Sequence, residues 1–224
     1  MLPVVTNDRS RDRSSSGAQW LDELRELTAI AQEGLTYSRD AFDLARFTRL
    51  KAATARIAEL LDETPDGAPS PIRLEVERQV GYLTPKLDVR AAVFDQQARI
   101  LLVREQRDGL WTPPGGWVDS GQTVGVSAVR EVFEESGFHV QADRLLGLYD
   151  RERWGHPPMT WHTLKVVVAC RLIGGEATPS PETTEVGWFS RERIPPLSPG
   201  RMSPELLRRI FDHHDQPDLP PDID

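Results

Sequence analysis

Apolar residues recur at spacings of three and four from residue 18 onward. Trp20, Leu21, Leu24, Leu27 and Ala31 fall on one stripe, which predicts a helix, and Gly34 supplies a stop. Ser38 can cap a second helix, in which Phe42, Leu50, Ala53, Ile57, Leu60 and Leu61 repeat on a face. Two helices of this length form a hairpin over residues 18–64, too small to bury much surface alone. The hairpin therefore packs on the rest of the chain or on another copy. Thr64 to Pro71 is dense in proline and glycine and opens a linker expected over residues 65–83. The period then changes. Leu87, Val89, Ala91 and Val93 alternate with Asp88, Arg90 and Ala92, the mark of a strand. Ile100–Val103 reads as a buried strand, 123–136 as a helix, and Val140–Asp150 and Thr163–Ile173 as strands. A short strand over Glu185–Ser190 and a helix over Pro204–Asp212 follow. Strands mixed with helices over residues 84–215 indicate an α/β or α+β domain. Residues 1–17 and 216–224 hold little to bury, so both ends are expected to be unstructured.

Composition narrows the function classes. The 224 residues carry 27 Lys+Arg against 35 Asp+Glu, a net charge of −8, which disfavours a protein that coats nucleic acid. Asp212, Asp215, Asp218, Asp222 and Asp224 account for five of those excess charges, so the rest of the chain is only mildly acidic. Cys170 is the single cysteine, which excludes an intrachain disulfide and any cysteine-based zinc site. The longest strongly apolar run, Val166–Cys170, is far short of a membrane span, and a cytoplasmic, soluble protein is expected.

The informative stretch runs from Gly115 to Phe138. Thr123 is a candidate N-cap and Gly137 a candidate C′ residue. Between them Glu131, Glu134 and Glu135 stand at i, i+3 and i+4, on one helical face, where like charges repel. Arg130 reaches Glu134 but cannot neutralise three carboxylates. The bland reading is a solvated acidic face. A hard divalent ion bridging carboxylates to phosphates is the sharper one. The preceding Trp111-Thr-Pro-Pro-Gly-Gly116 favours the latter, because its glycines let backbone approach a ligand.

This stretch resembles the Nudix box, and the chain is similar to Nudix hydrolases. Gly116 opens the box, and Arg130-Glu-Val-Phe-Glu-Glu-Ser-Gly-Phe138 matches its second half; Gln122 stands where the family has a Glu. The resemblance implies an α/β/α sandwich with a mixed sheet, preceded by the small N-terminal helical hairpin. It implies that Glu131, Glu134, Glu135 and the Gly116 carbonyl hold Mg²⁺, with Mn²⁺ an alternative, and that Arg130 orients the glutamates. Glu131 and Glu135 are then catalytic. Gln122 keeps a carbonyl acceptor but loses the charge, which is expected to weaken an additional metal without killing the enzyme. Glu182 is the preferred general base from a later loop, with Glu185 nearby.

Gln19-Trp-Leu-Asp-Glu-Leu24, Gly34-Leu-Thr-Tyr-Ser-Arg-Asp40 and Tyr82–Arg90 resemble the extension and first strand of Nudix hydrolases of X-linked nucleoside diphosphates. That subgroup implies a small-molecule nucleotide substrate (CDP-choline, ADP-ribose or a nucleoside diphosphate sugar), release of a nucleoside monophosphate and phospho-X, and a homodimer. The rival readings are a nucleoside-triphosphate pyrophosphohydrolase, which would release pyrophosphate, and a nucleotide sensor without turnover. Arg90 and Arg104 are candidate phosphate or ribose contacts, or else strand-surface ion pairs. Trp111 could stack a base or plug the glycine loop. Trp154 and His156, in an unusual loop, could form a substrate wall or a dimer contact. His213 and His214 are expected to be solvated, and Cys170 to be a core residue.

Overall fold

The computed structural model describes residues 16–61 and 70–224. The chain divides into two compact units, up to Thr84 and from Pro85 onward. The expected unstructured start lies, up to residue 15, outside the described residues. Residues 62–69, which include most of the proline-rich stretch, do so too.

In the first unit, helix α1 (Ser16–Tyr37) packs on α2 (Ala41–Leu61), and a short α3 (Pro71–Arg78) packs on α2. The hairpin is as expected, with two corrections. Gly34 does not stop α1. A Cβ there would lie 2.3 Å from the Phe47 ring, so the glycine lets the two helices approach closely. Asp40, not Ser38, caps α2, its Oδ1 accepting from the N–H groups of Phe42 at 2.9 Å and Asp43 at 3.1 Å. Helix α3 lies in the stretch read as linker. Ser70 caps it at Arg73 N–H, Pro71 begins it without an orphan donor, and Val76 is buried. Gln32 and Lys51 both donate to the Gln79 carbonyl at its end.

The second unit is the expected mixed sandwich. Strands β1 (Lys86–Val93), β4 (Phe138–Asp150), β5 (Thr163–Gly175) and β7 (Asp222–Ile223) form one sheet, in the order β1-β5-β4-β7. Strands β2 (Ile100–Glu105), β3 (Trp111–Thr112) and β6 (Thr183–Phe189) form the other, with β2 central. β1 runs parallel to β5 with Asp88 opposite Lys165, and β4 runs antiparallel to β5. Strands β1, β2 and the first half of β5 are buried on both faces because both are covered. Val89, Ala91, Leu101, Val166 and Val168 pack with Ala128 and Val132 of α4 (Val124–Ser136). Ala92, Ile100, Leu102 and Val167 pack with Leu206, Leu207, Ile210 and Phe211 of α5 (Pro204–Asp215). Cys170 lies in the first cluster, and burial pushes its thiol up to about 12. Among the described residues no helix is long and apolar enough to cross a membrane.

The C-terminal stretch overturns the expectation of a free acidic tail. β7 pairs parallel with Gly147 and Leu148 of β4. Asp222 accepts hydrogen bonds from Arg209, Tyr149 and His213, and Asp224 accepts from the Trp154 indole. His213 is fully buried rather than solvated, and His214 stacks on Phe94 with ring centres 3.9 Å apart. The acidic residues that suggested solvation find cations and donors once the chain folds back.

Candidate active site

The centre of the site is α4, and its ends form for local reasons. Thr123 accepts from Val126 N–H at 3.2 Å, and Gly137 ends the helix at φ 75°, donating to Phe133 O. The carbonyls of the last turn are taken by the β5–β6 loop. Thr178 N–H reaches Ser136 O at 2.9 Å, and Thr183 Oγ1 reaches Glu135 O at 2.7 Å. These bonds draw the loop that carries Glu182 onto the end of the acidic helix. The Glu182 carbonyl also accepts from Gln106 N–H at 2.9 Å, tying the loop to the end of β2.

The glycine loop lies along the free edge of β1. Ala91 N–H donates to Pro114 O, Val89 N–H to Gly116 O and Val118 N–H to Leu87 O, at 2.9, 2.9 and 3.0 Å. Gly115 is obligatory. Its φ is 151°, and a Cβ would sit 2.0 Å from the Val89 carbonyl oxygen. This close seating aims Gly115 N–H at Glu135 Oε2, 2.9 Å away. At Gly116 a Cβ would meet the Glu131 carboxylate at 2.9 Å, so that carboxylate lies against the loop.

The glutamates differ in environment. Arg130 contacts Glu131 at 2.9 Å, Glu134 at 2.7 Å and Asp119 at 3.3 Å. Gln122 Oε1 accepts from Arg130 Nε at 3.3 Å and from Ser127 Oγ at 3.1 Å, so the amide stabilises the arginine. Glu134 is mostly exposed. Glu131 is largely buried, and burial raises its pKa against the pull of Arg130. Glu135 is 5 % exposed, and burial pushes it up to about 8, opposed by Arg90 and the Gly115 N–H. Glu131 and Glu105 add repulsion to Glu135.

Among the described residues no three His, Cys, Asp or Glu side chains are gathered as a preformed metal cage. The donor set nevertheless suits a hard cation. Two largely buried carboxylates and a carbonyl loop offer only oxygen ligands, and burial raises both carboxyls against the pull of Arg130 and Arg90. Glu131, Glu135 and the second lone pair of Gly116 O could hold such an ion, with Glu134 on the exposed side.

The other expected residues are placed as follows. Glu182 is exposed and lies within electrostatic range of Glu105. Glu185 pairs with Arg104, which also donates to Gly109 O at 2.7 Å. Trp111 packs edge-on against Phe189, with ring centres 4.8 Å apart. Trp154 packs against Tyr149 and donates to Asp224. His156 is buried, with Nδ1 2.8 Å from Pro199 O and Nε2 unpartnered; burial pushes its pKa down to about 4. Arg90 is 4 % exposed and bonded through Nε to Asp88 at 2.9 Å.

Sequence reasoning missed Glu105, Asp88, Lys165 and Arg201. Glu105 is buried, with Arg201 Nε 2.8 Å away, and burial raises its pKa. Lys165 is fully buried on Asp88. The available signal was a charged residue inside an otherwise apolar strand, present at Asp88, Arg90 and Lys165.

Known proteins identify the family. Residues 84–210 match the NUDIX domain, and residues 18–67 match the UDP-X-like, N-terminal oligomerisation domain. A Bacillus subtilis (strain 168) protein, provisionally named an ADP-ribose pyrophosphatase, is 37 % identical over 200 residues, spanning 89 % of this chain and 94 % of its own. A solved ADP-ribose pyrophosphatase from Streptococcus suis is 40 % identical, covering 63 % of this chain and 100 % of that one, at a TM-score of 0.57. A solved UDP-X diphosphatase is 25 % identical, covering 93 % and 99 %, at a TM-score of 0.59. By helix, loop and sequence alike, the chain belongs to the Nudix hydrolases.

Proposed function

We propose that this Nudix hydrolase cleaves the diphosphate bridge of a nucleoside diphosphate linked to X, with ADP-ribose or a UDP-linked group as the leading substrates, releasing a nucleoside monophosphate and phospho-X. The observation that carries the reading is the pair Glu131 and Glu135, seated against Gly116 and Gly115 with both carboxyls raised by burial. Such a site suits a divalent ion bound together with an anionic diphosphate. The names of the relatives support the substrate class.

Glu131, Glu135 and the Gly116 carbonyl are the proposed holders of Mg²⁺ or Mn²⁺, with Glu134 joining from the exposed side. The ion supplies charge neutralisation at the diphosphate and a lowered pKa for coordinated water. Arg130 keeps Glu131 and Glu134 in place. Glu182, drawn to the end of α4 by Thr178 and Thr183, is the proposed base that takes a proton from the attacking water. The water oxygen bonds to one phosphorus, and the bridging oxygen leaves with the other phosphate. No covalent enzyme intermediate is needed. Arg104 and Trp111 are the proposed contacts for phosphate and base, with Trp154 and His156 further along the same unit.

We further read the chain as a homodimer assembled through the first unit. Phe42, Ile57 and Leu60 are exposed along one face of α2, interleaved with exposed Arg46, Arg49 and Arg56, a mixed apolar and basic surface for a second copy to cover. The test is chromatographic product analysis. ADP-ribose, a UDP-sugar, CDP-choline and a deoxynucleoside triphosphate are each incubated with Mg²⁺ or Mn²⁺, and with a chelator as control. Metal-dependent release of a nucleoside monophosphate and phospho-X is expected. Pyrophosphate from the triphosphate alone would replace this reading with pool cleaning, and binding without turnover would replace it with sensing.

A further inference from the structure

Three buried charges have no place in the chemistry above. Asp88 and Arg90 alternate along β1 with Val89 and Ala91, which face α4, so they project to the opposite side of the sheet. Lys165 stands beside Asp88 in the β1–β5 register and projects to the same side. Its Nζ donates to Asp88 Oδ2, while Asp88 Oδ1 accepts from Arg90 Nε at 2.9 Å. Arg90 then extends NH1 to Thr112 Oγ1 and to Pro113 O, each at 3.4 Å. The chain of contacts therefore ends on the glycine loop. Replacing buried ion groups by apolar ones is often neutral or stabilising, so stability alone does not account for this trio.

Its geometry has a consequence at the carboxylates. Asp88 is shared, one oxygen bonded by Lys165 and the other by Arg90, so Lys165 fixes the carboxylate that orients Arg90. Arg90 lies within electrostatic range of Glu135, Glu131 and Glu105. The side-chain contacts of Arg90 also hold Thr112 and Pro113 just ahead of Gly115 and Gly116, which lie against Glu135 and Glu131. We propose that Lys165, acting through Asp88, is a positioning residue that fixes Arg90 against the Thr112–Gly116 loop and thereby sets the affinity of the glutamate site for its divalent ion. This inference rests on the metal-binding reading above and adds to it a residue on a neighbouring strand that touches neither the ion nor the glutamates.

The test uses the full chain and Mn²⁺ alone, with free Mn²⁺ read by electron paramagnetic resonance. Hydrogen exchange of the Gly115 amide is followed in the metal-free protein, and thermal unfolding is followed in parallel. Lys165→Met leaves the Asp88–Arg90 pair whole. It is expected to weaken Mn²⁺ binding about tenfold, in the range for residues that support metal ligands. It is also expected to speed Gly115 exchange while cooperative unfolding is kept. Thr112→Val retains all three charges and removes one contact of Arg90 with the loop, together with the hydroxyl's own bond to Pro113 O at 3.2 Å; a smaller loss of Mn²⁺ affinity is expected. A folded Lys165→Met protein with wild-type Mn²⁺ affinity and wild-type Gly115 protection overturns the proposal. If Lys165→Met does not fold, unchanged affinity in Thr112→Val overturns it. A wild-type protein that binds no Mn²⁺ takes down the metal reading itself, whereas equal binding by wild type and both variants takes down only the role of Lys165.

Discussion

The second unit holds two groups of carboxylates with opposite electrostatics. Asp222 accepts from Arg209 Nε at 2.6 Å, Tyr149 Oη at 2.7 Å and His213 Nε2 at 2.9 Å. The Arg209 hydrogen bonds hold its carboxyl far below the usual range. Glu135 receives one backbone N–H and faces Arg90, and burial pushes it up to about 8. Asp222 is satisfied by the protein and serves the fold, joining β4, α5 and β7. Glu135 is left with acceptor capacity that the protein does not fill, as expected where a cation is to bind. Sequence alone made both stretches look equally acidic. What separates them is the supply of donors in three dimensions.

Glu135→Gln should break the comparison most sharply. Removing a buried ligand charge is expected to lower turnover roughly 100-fold or more while the protein stays folded. Mn²⁺ binding and product release measure the loss, and near-wild-type rates at limiting metal would refute the assignment. Asp222→Asn should show the reverse. Loss of a charge that accepts from Arg209, Tyr149 and His213 is expected to cost about 2 kcal/mol, or roughly 4–8 °C in a domain of this size. Turnover at 25 °C should change little. Thermal unfolding beside steady-state rates separates the two outcomes.

A pH series sharpens the contrast without disturbing Asp222. The Glu135 carboxyl is raised in the folded state, so its contribution to stability is full below the ordinary carboxylate pKa. That contribution is lost as pH rises through about 8. In chelator, Glu135→Gln should therefore gain stability relative to wild type between pH 5 and pH 9, and saturating Mn²⁺ should remove the wild-type loss. Parallel denaturation curves across that range would contradict the raised carboxyl. The smallest effect is expected for Gln122→Glu. Glutamate keeps both acceptor contacts, to Ser127 and Arg130, and adds a charge beside Arg130. Activity should equal or exceed wild type by no more than about fivefold. A marked loss would mean that the glutamine has a role of its own.

The box helix was legible because its signals are local: a capping Thr123, a left-handed Gly137, and glutamates at helical spacing between them. The glycine loop was legible in kind, though that Gly115 must lie flush on Val89 needed the fold. Local signals also misled. Gly34 read as a helix stop, yet it relieves a collision with Phe47, thirteen residues along the chain. Proline density concealed α3, although Pro71 and Ser70 are what a helix start requires.

Periodicity, caps and the spacing of the glutamates determined the two units, the acidic helix and the loop feeding it, because each depends on neighbours within a few residues. The tertiary structure alone decided which charges are neutralised. Asp222 meets Tyr149 across 73 positions and Lys165 meets Asp88 across 77. Such pairings depend on sheet register and on which face of a strand points inward, and no local pattern encodes them. The same long-range placement buries Glu131 and Glu135 against the glycine loop, and so separates a site from a merely acidic surface.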